Sequence, residues 1–251
     1  TDYPWKNYII ATSDGGMIET NCGTNKTISA RYTADNKELD VTSDNGYVVK
    51  YNNSGKIEKL IQISGLENFG AEIYEDTEGN FIVFGGGKQI EIPAEKTIDN
   101  EPIKLEYNGT NLRTIILKLN KDLKVIWVKN IDNFCVSPTS LNYTVENKEG
   151  NYMINFNGYS GNNIEIPAKD TVNGEKISSQ RNANSVLIEY TKDGKVKNIY
   201  QNSYGIDSLI EKDSGGYIIS SGSVIYELDS KMNEVRQYSN NISGINSCSF
   251  Y

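Results

Sequence analysis

One glycine-led signal recurs four times in this chain and limits what the chain can fold into. The copies are Asp14-Gly15-Gly16-Met17-Ile18, Glu78-Gly79-Asn80-Phe81-Ile82, Glu149-Gly150-Asn151-Tyr152-Met153 and Ser214-Gly215-Gly216-Tyr217-Ile218. From Gly15 to Gly79, Gly150 and Gly215 the steps are 64, 71 and 65 residues. A recurring supersecondary unit of this kind marks a stacked or ring-like repeat fold, in which each copy covers its neighbour's apolar face.

Each glycine signal is followed by a second one, a hairpin. Its copies run over residues 48–57, 116–125, 187–196 and 225–235, as in Leu187-Ile188-Glu189-Tyr190-Thr191-Lys192-Asp193-Gly194-Lys195-Val196. Apolar and polar residues alternate on both sides of an Asn/Asp/Gly/Lys turn, which is the period-2 pattern of paired strands. The fourth copy reads as one residue longer in its turn. Asn, Asp and Gly suit such turns because they tolerate positive φ.

A third signal is the most specific. Gln89-Ile90-Glu91-Ile92-Pro93-Ala94-Glu95-Lys96-Thr97 matches Asn163-Ile164-Glu165-Ile166-Pro167-Ala168-Lys169-Asp170-Thr171, and each leads into a further turn. The first repeat keeps a degraded copy around Thr33-Ala34-Asp35-Asn36, and the fourth has no room for one. Three modules therefore carry an extra hairpin outside a four-strand minimum. Such excursions map to one face or the rim, often the binding face. Four antiparallel strands per repeat predict an all-β, β-propeller-like fold of about four blades, with hairpin insertions in three. The expected layout is one repeat domain over 1–251, with modules near 1–64, 65–132, 133–203 and 204–240, and a partial fifth over 241–251.

The chain has no histidine. That removes the commonest general base near neutral pH, the commonest metal ligand and the Ser-His-Asp and Cys-His arrangements. Glu91 and Glu165 recur because the module recurs, so neither stands out as one half of a catalytic pair. No catalytic, cofactor or metal residue is expected, and the ligand-binding residues are unknown at this stage. Turns at Asp99-Asn100, Asp122-Leu123 and Asp193-Gly194 each offer one or two oxygens, whereas calcium takes six to eight. Hairpin chemistry accounts for them. Trp127 is expected to pack between modules, with sugar stacking as the competing role. Trp5 has no assigned role. Cys22, Cys135 and Cys248 are read as buried apolar residues, or as one disulfide plus a thiol.

The net charge of −8, with Lys and Asp/Glu interleaved, argues against nucleic acid or an anionic membrane surface as partner. No stretch approaches the roughly 20 apolar residues of a membrane span.

The combination of Asp-Gly-Gly-Met-Ile, Ile-Glu-Ile-Pro-Ala-x-x-Thr and Leu-Ile-Glu-Tyr-Thr-Lys-Asp-Gly-Lys-Val resembles the propeller-type repeats of large Gram-positive, especially clostridial, cell-surface proteins. The likeness covers nearly the whole chain. It implies an extracellular setting, a longer polypeptide, and a non-enzymatic binding or adhesion role toward a protein or glycan of host, matrix or cell wall. A spacer without a ligand and a carboxylate-based glycan-active enzyme are the alternatives. The aromatic-Ala-Lys motif usual after the hairpin is here Ile126-Trp127-Val128-Lys129 in one copy and eroded in the others. After Asn240 the chain continues Asn241-Ile242-Ser243-Gly244-Ile245, matching Gln62-Ile63-Ser64-Gly65-Leu66. This is read either as the start of a fifth module or as a terminal strand covering an open edge.

Overall fold

The computed structural model describes residues 8–22, 25–42, 45–105, 113–131, 134–136, 143–160, 164–178 and 183–239. The fold is all-β, and its only helical elements among the described residues are three single-turn 3-10 segments. Two compact units divide the chain, residues 1–139 and 140–251.

In the first unit, β1 (Tyr8–Ala11) and β2 (Met17–Cys22) precede a small hairpin of β3 (Lys26–Ile28) and β4 (Leu39–Val41). β5 (Asn45–Tyr51) and β6 (Ile57–Glu75) complete an antiparallel meander in the order β1-β2-β5-β6. The second module was expected to open on a strand of its own. Instead β6 runs on for 19 residues, leaves β5 near Ser64 and then pairs with β7 (Phe81–Ile92). β8 (Ile103–Leu105) folds back on the end of β7, and β9 (Arg113–Leu119) and β10 (Val125–Ile131) finish the second meander. A short β11 (Phe134–Val136) follows.

The second unit repeats this plan. β12 (Tyr143–Glu146), β13 (Tyr152–Ser160), β16 (Ser185–Tyr190) and β17 (Val196–Asn202) form one meander, with the hairpin of β14 (Glu165–Ile166) and β15 (Ile177–Ser178) set between the second and third strands. β18 (Ser208–Glu211), β19 (Tyr217–Ser221), β20 (Val224–Leu228) and β21 (Glu234–Ser239) form the last meander, without an inserted hairpin.

The glycine signal is a turn. Gly15, Gly79, Gly150 and Gly215 have φ of 85°, 77°, 78° and 86°, and each closes a three-residue loop between first and second strands. That conformation crowds a Cβ against the next carbonyl, which explains why glycine recurs there. The turn between third and fourth strands is equally uniform. The amide N–H groups of Gly55, Leu123, Gly194 and Met232 each donate to the carbonyl three residues earlier. The fourth turn is thus no longer than the others, which corrects the sequence reading. Leu123 and Met232 hold φ of 59° and 63° while their side chains are buried. Leu123→Gly would relieve about 1 kcal/mol of left-handed strain but lose about 2–3 kcal/mol of apolar burial. A net loss of about 1–2 kcal/mol is expected in a denaturant titration; a gain would mean that strain dominates.

Apolar faces of successive meanders meet in two cores. In the first unit Ile18, Val48 and Ile61 of one meander share a cluster with Ile73, Val83 and Leu117 of the next, the two meanders being joined into one sheet through β6. In the second, Met153, Leu187 and Tyr200 share one with Tyr217, Ile219 and Leu228. Carboxylates fasten the rims. Glu75 accepts the Ser13 N–H and hydroxyl at 2.8 and 2.7 Å, and Glu211 accepts the Lys148 N–H at 2.9 Å.

A polar clasp ties each first turn to the third strand, and its charge changes sign along the chain. Lys50 reaches Asp14 at 2.6 Å and Lys118 reaches Asp76 at 3.5 Å. Further on Glu189 takes the lysine's place, and Glu227 meets Lys212 at 2.8 Å. The hydrogen bond from Lys50, with those from Thr12 and Gly16, lowers the Asp14 carboxyl to about 2. A depressed carboxyl contributes stability above its unfolded value near 3.8, which is lost as pH falls through about 2. The first unit should therefore weaken between about pH 4 and pH 2. Asp14→Asn should flatten that limb in urea titrations at the two pH values, and an unchanged acid limb would assign it elsewhere.

Candidate functional site

The three inserted hairpins are built alike from their roots outward. In each, a single 3-10 turn ends at a buried threonine: Thr33, Thr97 or Thr171. The threonine hydroxyl contacts two carbonyls across the loop, those of Ala30 and Lys37, Ala94 and Glu101, or Ala168 and Glu175. A β-branched hydroxyl fits because it closes the loop on itself and removes its own polar group from the interior. The next residue, Ala34, Ile98 or Val172, donates its N–H to the first residue of the fourth strand, Ile57, Val125 or Val196. The first copy, read as degraded, has the same root. Asp35, Asp99 and Asn173 then accept the N–H two residues on, shaping the tip. The hydrogen bonds at Asp99 lower its carboxyl below the usual range.

Glu91 and Glu165 occupy matching places in the second and third hairpins. Each faces a lysine across the hairpin, Lys104 at 3.3 Å and Lys176 at 2.9 Å. These exposed pairs contribute at most about 1 kcal/mol each, so they orient the hairpin more than they stabilise it.

Beside the second hairpin lies a groove of about 630 Å³ in the first unit. That volume suits a small molecule or a short chain segment. One wall is Thr42, past the end of β4, with Gln62 and Ser64 of β6; the other is Glu91, Ile92, Pro93, Lys96, Pro102, Ile103 and Lys104. Gln62 organises the first wall. Its Oε1 accepts the Thr42 N–H at 2.9 Å and hydroxyl at 3.0 Å, and its Nε2 donates to the Asp40 carbonyl at 2.6 Å. Lys96 crosses the groove and donates to the Gln62 carbonyl at 2.9 Å. An ammonium at the Gln62 main chain shows that a backbone acceptor of β6 faces the groove. Chemically the site offers apolar contact from two prolines and two isoleucines, hydroxyl and amide groups opposite, and lysines at its edge. Its lining includes one carboxylate, Glu91, and no aromatic ring.

The other sequence candidates lie elsewhere. Trp127 on β10 is 8% exposed, which leaves too little of its ring for sugar stacking. Asp122 and Asp193 sit in hairpin turns, where Asp193 accepts the Thr191 hydroxyl and Asp122 donates its N–H to Asn120. Trp5, Cys248 and the side chains of Cys22 and Cys135 lie outside the described residues. Among the described residues no helix is long and apolar enough to cross a membrane. The groove itself had no sequence signal, because its walls come from three segments up to 62 positions apart, from Thr42 to Lys104.

No family model and no curated protein matches the chain. Among solved structures, it is similar to a protein of unknown function from Bacteroides caccae, at 15% identity and a TM-score of 0.44, over 98% of this chain. The chain spans 65% of that protein's length. A fainter likeness, at 12% identity and a TM-score of 0.27, is to BBS1N in complex with ARL6DN, over 93% of this chain and 77% of that one.

Proposed function

We propose that this chain is a non-enzymatic binding module of β-propeller type, displayed outside the cell on a bacterial surface protein. Four antiparallel meanders in chain order support the propeller reading, since each has the strand order of a blade. The groove beside the second hairpin carries the binding reading, because it joins a concave apolar wall to a few convergent polar groups. A polypeptide segment fits it better than a sugar ring, for which the lining offers no aromatic face. Glycoside hydrolysis would need two carboxylates about 5–10 Å apart, and the lining supplies Glu91 alone.

A combined protein, peptide and glycan array tests the reading. A ligand is expected among the peptides or proteins, and Lys96→Glu should weaken it at least about tenfold, a loss of about 1.4 kcal/mol, with the protein still folded by circular dichroism. A blank array would favour a ligand-free spacer. Binding untouched by Lys96→Glu would move the site elsewhere. Glycoside cleavage abolished by changing one carboxylate would overturn the non-enzymatic reading.

A further inference from the structure

The three hairpin tips share one turn but not one functional group. Asp35, Asp99 and Asn173 each accept, through Oδ1, the N–H two residues on, at 3.1, 3.2 and 3.1 Å. The residue between is left-handed in every copy: Asn36, Asn100 and Gly174 have φ of 56°, 57° and 71°. The third tip alone joins a side-chain amide to a following glycine. That pairing has its own chemistry, because the backbone nitrogen after an asparagine can attack the side-chain carbonyl, and glycine places no side chain in the way.

The chain holds Asn-Gly at 45–46, 108–109, 157–158 and 173–174. Asn108-Gly109 lies outside the described residues. Gly46 is buried within β5, between β2 and β6. Asn157 is 6% exposed; both ends of its amide bond the main chain of Ile206, and the Gly158 N–H is donated to the Asn184 carbonyl. Asn173 and Gly174 are both exposed, and nothing lies within 4 Å of a Cβ built at Gly174. The turn also prepares the side chain. The Glu175 N–H on Oδ1 stands where negative charge grows as Cγ is attacked. The departing Nδ2 donates to the Glu175 carboxylate at 3.2 Å.

We propose that Asn173 is a self-modification site, at which the third hairpin tip turns from amide to acid. The Gly174 nitrogen bonds to Asn173 Cγ, the Cγ–Nδ2 bond breaks, and ammonia leaves with the former Gly174 amide proton. A cyclic imide remains. Water then adds to one of its two carbonyls and opens the ring, giving aspartate or isoaspartate. Water is the sole co-reactant and nothing is oxidised or reduced. The aspartate product gives this tip the carboxylate that Asp35 and Asp99 already supply, with the Glu175 N–H still accepted. It also sets a second negative charge beside Glu175, where the Nδ2 hydrogen bond was. The isoaspartate product lengthens the main chain at the tip, beyond the loop that Thr171 closes. None of the residues lining the groove takes part.

The full chain, incubated folded in heavy-oxygen water at mildly alkaline pH and then digested in acid, tests this by peptide mapping. The Asn173 peptide should convert to the acid with one heavy oxygen, as separate aspartate and isoaspartate forms. The Asn157 peptide should stay an amide until the chain is unfolded in urea. Gly174→Ala should slow conversion at Asn173 at least about tenfold, because the new methyl shields the attacking nitrogen. Asn173 staying an amide in the folded chain, or converting no faster than Asn157 there, would overturn the proposal. Conversion at an unchanged rate in Gly174→Ala would also overturn it, since the Gly174 nitrogen would then not be the nucleophile.

Discussion

Gly65→Ala is expected to lower the thermal midpoint by about 8–14 °C, the equivalent of about 3–4 kcal/mol in a chain of this size. Gly65 has φ of +79°, and a Cβ built there would lie 1.5 Å from the Gln89 carbonyl oxygen and 2.6 Å from its carbon. Gly87 approaches from the other side, where a Cβ would meet the Gly65 oxygen at 2.6 Å. The left-handed conformation alone costs a non-glycine residue about 1–2 kcal/mol. The larger part comes from overlap with backbone, which cannot rotate away as a side chain can, so β6 and β7 must separate. Gly55→Ala isolates the first contribution, because Gly55 has φ of +73° with nothing within 4 Å. It should cost about 1–2 kcal/mol. Equal losses for the two variants would show that the close approach at Gly65 relaxes without penalty.

Glu189→Ala should destabilise the second unit by about 3–5 kcal/mol. The Glu189 side chain is 1% exposed. Its Oε1 accepts Asn147 at 3.1 Å, Asn151 at 2.8 Å and Lys197 at 3.2 Å, and its Oε2 accepts Asn198 at 2.6 Å. Truncation removes an acceptor that four donors share and leaves a cavity. Asn147 keeps the Tyr217 hydroxyl, Asn151 and Lys197 keep Glu149 and Asn198 keeps the Ser230 carbonyl, so the loss is that of the buried charge and its bonds. Module 2 suggests a repair. There the third-strand position is Lys118 and the turn holds Asp76, with side chains 4% and 1% exposed. The double change Asn147→Asp with Glu189→Lys installs that pair. It should recover at least half of the loss shown by Glu189→Lys alone, read as a coupling energy in a double-mutant cycle. Additive effects would mean that the clasp is not a transferable unit. Glu189 also raises the Tyr217 hydroxyl, though burial contributes more to that shift.

These two sites differ in how far the sequence announced them. Gly65 stood in plain view but outside the repeated glycine signal, and its left-handed φ and its approach to Gln89 explain it together. The glycines that did repeat proved to be turns, since a positive φ is a local demand that sequence records locally. The same holds for Thr33, Thr97 and Thr171, whose loop-closing bonds reach only three or four residues. The clasp was hidden for the opposite reason. Lys50, Lys118, Glu189 and Glu227 share a place but not a charge, so no single residue type runs through all four copies. Its partners come from the far side of a hairpin. The groove was harder still, for Gln62 and Lys96 meet only because β6 pairs first with β5 and then with β7. The continuity of β6 itself was masked by glycine and polar residues between Ser64 and Ala71, which read as a break.

The hairpin roots divide each insert into a part that cannot vary and a part that can. Closure depends on one threonine hydroxyl, two carbonyls and one amide bonded to the neighbouring strand. None of these contacts involves a side chain beyond the threonine, so Ala34, Ile98 and Val172 occupy one position without disturbing it. Outward positions can therefore be rewritten while the anchor stays intact. A lineage carrying many such modules could change the chemistry of its hairpin tips by ordinary point substitution, with folding insulated from the change.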